Sequence, residues 1–214
     1  MGKNSINIGE CLSYGYGALK RNIGFHLVAG LLFVLIYVGA NLLTQALRIG
    51  MADQPLVKVF FWLMQTLLGL AVTSCFLLGY YHALSKVDAG EEPEIGDLFS
   101  QLDKLLPALL TSVMYLILSA IGFVCCIIPG LVLMPMYPIS LYLVYKGESN
   151  PISALRRAWD GLRGNLVMAI VTTMVLALIG SLGFVACFVG GLITMPIFYA
   201  GCYKMTRQAL DSNS

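Results

Sequence analysis

From Ile23 to Leu43 the chain runs without a single Asp, Glu, Lys or Arg. A run of about 20 such residues matches the hydrocarbon thickness of a bilayer. In lipid, only a helix of this kind satisfies every backbone group within its own segment. Further apolar runs follow at Leu56–Leu84, Leu105–Ile128, Leu131–Tyr145, Leu166–Val189 and Leu192–Tyr203, the fourth and sixth being short. Only 11% of the 214 residues are charged and 58% are hydrophobic. Soluble domains carry about 25% charged residues, so composition alone places the chain in the membrane. Met1 to Asn22 has no compact apolar core with a small-residue cleavage site, so the first span is expected to be retained. The expectation is an all-α integral membrane protein of six transmembrane helices in one domain over residues 1–214.

The polar segments set the orientation. With the N-terminus inside, Lys3, Lys20, Arg21, Lys86, Lys104, Lys146, Arg156, Arg157, Arg163, Lys204 and Arg207 all fall on the inner side. Only Arg48 and Lys58 fall outside. An asymmetry of this size puts both termini in the cytoplasm. A net charge of +2, spread over short segments, offers no nucleic acid a continuous basic face.

One inner segment, Asn150–Asn165, is patterned as an amphipathic helix. Asn150 suits an N-cap and Pro151 the first helical position. Ile152, Leu155, Trp159 and Leu162 share one face, while Arg156, Arg157, Asp160 and Arg163 take the other. A basic helix with Trp on its apolar side lies in the membrane interface, forming an elbow before the next span. Residues 5–21 form a weaker elbow ending in Lys20 and Arg21, and the acidic segment 86–104 repeats the pattern through Ile95, Leu98 and Leu102.

The elbows belong to an internal repeat. Residues 122–135, GFVCCIIPGLVLMP, align without gaps on residues 183–196, GFVACFVGGLITMP. The unit is an amphipathic helix plus a two-span hairpin, repeated about three times over residues 5–84, 94–146 and 150–209. All copies enter from the same side, which makes them parallel repeats. Pro129-Gly130 and Gly190-Gly191 read as the hairpin turns. Pro135 and Pro196 interrupt short spans at matching places, the usual pointer to a cavity in transporters, with Gly191 nearby, and the MPMYP run of Pro135 and Pro138 around Tyr137 is where irregular backbone is expected. Each Pro removes one backbone hydrogen bond, and simple kinking is the competing explanation. Cys126 and Cys187 are equivalent under the repeat, and small apolar packing competes with a disulfide there.

No nucleophile–base set, phosphate loop or zinc signature appears, so the chain reads as non-enzymatic, without cofactor or metal. His26 and His82 sit near the inner ends of adjacent spans, where interfacial hydrogen bonding is the default and a shared proton or metal site the alternative. Carboxylates are absent from the middle of all six spans, which argues against ion-coupled pumping. Lys20, Arg21, Arg156, Arg157, Trp159 and Arg163 are the candidate contacts for an anionic lipid headgroup, each basic residue contributing about 1 kcal/mol. Topology alone also explains these charges.

Ala154, Ala158-Trp159 and Gly164-Asn165 leading into a span, after a Pro129-Gly130 hairpin, resemble a broad group of bacterial multi-pass inner-membrane proteins. That group includes the membrane domain attached to some glycerophosphoryl diester phosphodiesterases. The resemblance implies a bacterial cytoplasmic-membrane location. It implies no phosphodiesterase activity, which resides in a separate soluble barrel. Two functions stand: binding or moving a lipid or other amphipathic molecule, or structural and regulatory work through partner proteins, as in envelope maintenance or tolerance to membrane-active peptides. The expected partners are membrane lipids, anionic ones included. A homo-oligomer or a membrane-protein partner is left open.

Overall fold

The computed structural model describes residues 6–49, 54–125, 127–186 and 188–211, without the side chains of 127–128 and 184–189. Cys126 and Cys187 lie outside the described residues. The described elements are helices: α1 (Ile8–Arg21), α2 (Ile23–Arg48), α3 (Pro55–Asp88), α4 (Leu105–Cys125), α5 (Ile127–Leu133), α6 (Met136–Tyr145), α7 (Pro151–Leu162), α8 (Leu166–Ala186) and α9 (Phe188–Asp211). Two 3-10 turns, Ile95–Phe99 and Leu102–Lys104, lead into α4. Four stretches are long and apolar enough to cross a membrane: Ile23–Arg48, Pro55–Asp88, Ile95–Cys125 and Leu166–Gly183. The chain is therefore an all-helical protein with several membrane-length helices. Pro129–Tyr145 is a shorter apolar stretch.

Local chemistry sets the helix starts. The Asn150 side chain accepts from the backbone N–H of Ile152 at 3.0 Å and of Ser153 at 3.4 Å, with Pro151 next in the chain. Asn7 caps α1 in the same way through Glu10. These caps offset backbone donors that the first helical turn leaves unpaired.

Three antiparallel pairs make up the body. α2 meets α3 through His26 with Tyr80 and Asn41 with Gln65. Tyr115 of α4 meets Tyr137 of α6, and Thr173 of α8 meets Met205 of α9. Each amphipathic segment packs on the returning helix of the preceding pair: Ile95–Phe99 on α3, α7 on α6, and α1 on α9. The last of these contacts joins the two ends of the chain into a ring. At its centre the rings of Tyr81, Tyr142 and Tyr203 approach one another at 5.6 to 5.8 Å between centroids. Positions 81, 142 and 203 are evenly spaced, at the interval that separates Pro135 from Pro196.

Four sequence expectations are corrected. Pro129 and Gly130 lie inside α5, which already packs back on α4, and the break at Met134–Pro135 separates α5 from α6. Gly130 has no Cβ because the Phe123 ring of α4 fills that space. Gly190 and Gly191 lie inside α9, and a Cβ on Gly183 would come within 2.5 Å of the Gly190 carbonyl oxygen. These glycines let paired helices touch rather than turn the chain. Third, the middle elbow is not an amphipathic α-helix but two 3-10 turns. A capping box between Glu94 and Asp97 holds the first of them, and Gly79 of α3 admits the Leu98 backbone directly against it. Finally, the buried face of α7 is Ala154, Leu155, Ala158, Gly161 and Leu162, with Ile152 exposed and Trp159 half-buried.

Candidate functional site

Of the three prolines, only Pro135 sits at a helix break: Pro138 falls in the first turn of α6, and α9 runs uninterrupted through Pro196, so the expected interruption there is not found. All three face the body of the protein. Pro135, Pro138 and Pro196 are buried, and so are Gly130 and Gly191, while Pro129 is exposed. The Tyr81 hydroxyl donates to the Pro138 carbonyl at 3.2 Å. Its neighbour Tyr80 lies 3.4 Å from the Pro196 carbonyl. α3 thus donates a hydrogen bond to α6 through Tyr81 and approaches α9 through Tyr80.

The histidines occupy separate places. His26 is buried, with Nε2 3.1 Å from the Ala18 carbonyl and Nδ1 2.9 Å from the Tyr80 hydroxyl. A carbonyl only accepts, so Nε2 carries the proton and Nδ1 accepts from Tyr80. His82 lies 3.8 Å from Asp97, whose Oδ1 accepts from Lys86 at 2.7 Å. Asp97 Oδ2 accepts from the Glu94 backbone at 2.8 Å, so one carboxylate caps the 3-10 turn and, through Lys86, ties it to α3.

The break at Met134–Pro135 sends flanking side chains to two different surfaces. The Tyr137 ring lies tilted against that of Tyr115, 4.9 Å between centroids, and faces a space of about 500 Å³ that Tyr37, Trp62 and Gln65 also border. Leu133 and Met136 turn instead toward α7. With Met114 and Leu118 of α4 they wall an apolar groove of about 410 Å³, edged by Trp159 and Arg156. α7 reaches this position because Ala154, Ala158 and Gly161 keep its buried face narrow, and Gly161 lies against Leu210 of α9.

The arginines of α7 are not equivalent. Arg157 donates to Glu148 at 2.8 Å, and this hydrogen bond holds the Glu148 carboxyl below the usual carboxylate range. Arg163 lies 3.5 Å from Asp160 and over the Trp159 ring at 5.9 Å. Among the described residues, Arg156 has no polar partner. An unpaired guanidinium at the end of a hydrocarbon-walled groove can take an anionic group while the groove takes an apolar chain.

Lys20 and Arg21 do not join these arginines. They end α1, which packs on α9, and Arg21 borders a different cleft with Lys204 and Asp88. Sequence reasoning missed Met114 and Leu118, whose apolar character did not set them apart from other lipid-facing residues. It also missed Tyr14 and Asp88, joined at 2.8 Å. The signal available was Asp88 itself, a carboxylate placed directly after a long apolar run. No family model, curated protein or solved structure matches this chain.

Proposed function

We propose that this chain is a non-enzymatic protein of the bacterial cytoplasmic membrane that binds an amphipathic lipid in the groove between α4, α6 and α7. The observation that carries the reading is Arg156, unpaired among the described residues, at the rim of a groove walled by Met114, Leu118, Leu133 and Met136. Headgroup charge would meet Arg156, with Trp159 beside it at the level where indole rings favour the membrane interface. The acyl chain would lie along α4 and α6.

The proposed frame has six crossings, with α5–α6 as the fourth and α9 as the sixth, and three repeats about an axis along the membrane normal. The evenly spaced tyrosines 81, 142 and 203, and the packing of each amphipathic segment on the preceding hairpin, support it. The basic residues support cytoplasmic termini, and the Ala158-Trp159…Gly164-Asn165 likeness supports the bacterial inner membrane.

The test is lipid analysis of protein extracted gently from membranes. Wild type should carry an anionic phospholipid enriched over the bulk extract, and Arg156→Ala should lose that enrichment while keeping its melting temperature. Equal lipid content in the two proteins would remove the basis of the reading.

A further inference from the structure

We infer a second, separate site: a cleft between α1 and the ends of α3 and α9 that binds a phosphate group through Arg21 and Lys204. The cleft encloses about 360 Å³ and is bordered by Glu10, Tyr14, Gly17, Arg21, Asp88 and Lys204. Its carboxylates already have hydrogen-bond partners. Asp88 Oδ1 accepts from the Tyr14 hydroxyl at 2.8 Å. Asp88 Oδ2 accepts from the Tyr203 hydroxyl at 3.3 Å and from the Arg207 guanidinium. Glu10 Oε2 accepts from Gln208 at 2.7 Å.

The two cations of the cleft are left without a carboxylate. Lys204 Nζ lies over the Tyr14 ring at 5.8 Å, and neither Lys204 nor Arg21 has an ion-pair partner among the described residues. They come from different helices, so a tetrahedral oxyanion with several acceptors suits them both. The guanidinium offers a planar fork and the ammonium a point charge, the two ways in which side chains hold phosphate. Gly17 leaves room for the ligand, since a Cβ there would meet no atom within 4 Å.

The cleft lies at the end of the helix ring where Lys86, Lys104 and Arg207 also gather. The phosphate therefore comes either from an anionic lipid headgroup or from a soluble phosphate ester. The inference is independent of the α7 groove, and testing it in an Arg156→Gln background keeps the two separable.

The experiment uses the full chain in phosphatidylcholine nanodiscs, titrated with phosphatidylglycerol and followed by native mass spectrometry. The parent should retain phosphatidylglycerol in preference to phosphatidylcholine. Arg21→Gln with Lys204→Gln should bind it roughly 30-fold more weakly, as expected for losing two interfacial charges. Gly17→Leu should also weaken retention, by filling the cleft while every charge stays in place. Displacement by sn-glycerol 3-phosphate would show that the cleft reads the phosphate from soluble sources too. Lack of displacement would make lipid its source. Equal retention by the parent and both variants, or no preference over phosphatidylcholine, would overturn the inference.

Discussion

The Tyr80 hydroxyl lies 2.9 Å from Nδ1 of His26, and both side chains are buried. This bond and the one from Nε2 to the Ala18 carbonyl tie α1, α2 and α3 together where Pro196 of α9 also arrives. Tyr80→Phe keeps the ring packing against Phe76, at 5.6 Å, but leaves Nδ1 without a donor. Hydrogen bonds between membrane helices contribute about 0.6 to 1.7 kcal/mol. Thermal unfolding in detergent should show a loss within that range, and a larger one for His26→Ala. An unchanged melting temperature for Tyr80→Phe would mean that the bond does not contribute.

Gly79 and Gly17 should respond to alanine in opposite ways. The place of a Cβ on Gly79 is taken by the Leu98 backbone, which cannot move without lifting the 3-10 turn off α3. Gly79→Ala should cost about 3 kcal/mol or more, at or beyond the upper end of overpacking effects. Gly17→Ala points into open space on α1 and should stabilise by roughly 0.5–1 kcal/mol. Paired unfolding measurements would read both.

Reporter fusions test the proposed orientation. A fluorescent protein attached after Asp211 should fluoresce, and alkaline phosphatase at the same place should stay inactive. A cysteine replacing Gln54, just before α3, should react with an impermeant maleimide added to spheroplasts. The opposite pattern at both places would invert the topology.

The Glu148–Arg157 pair gives the join between α6 and α7 a pH dependence. Its carboxyl is held below the ordinary value of 4.5 by the hydrogen bond from Arg157. Stability from a lowered carboxylate is fully present above the ordinary value and is lost as pH falls through the lowered one. As pH falls below 4.5 and through the lowered value, amides of residues 148–150 and 152–154 should exchange faster than an intrinsic-rate correction explains. Glu148→Gln should remove that dependence. Wild type and variant exchanging alike at every pH would contradict the account.

Membrane-length helices and the proline break were legible because apolar length and Pro chemistry are local properties. The packing faces were less legible. In α7, large residues suggested Ile152, Leu155, Trp159 and Leu162, yet the closest approach uses Ala154, Ala158 and Gly161. Within lipid, close backbone approach rather than side-chain hydrophobicity selects a helix face, and apolar periodicity does not report it. The same reason makes Gly130 and Gly190 packing residues rather than turns. The partners of His26 lie in α1 and α3, too far apart in sequence for any local pattern to join them. Of the basic residues marked as one headgroup cluster, Arg156 borders one groove and Arg21 another cleft.

Trp159 offers the most direct test of lipid in the α7 groove, since the chain has only 2 tryptophans and Trp62→Phe leaves one reporter. That variant would be reconstituted in phosphatidylcholine with a small fraction of phosphatidylglycerol brominated on its acyl chain. The account predicts that Trp159 fluorescence is quenched well beyond the level that random lipid mixing produces, and that Arg156→Gln returns it to that level. Quenching at the random level in both proteins would contradict a bound lipid beside Trp159.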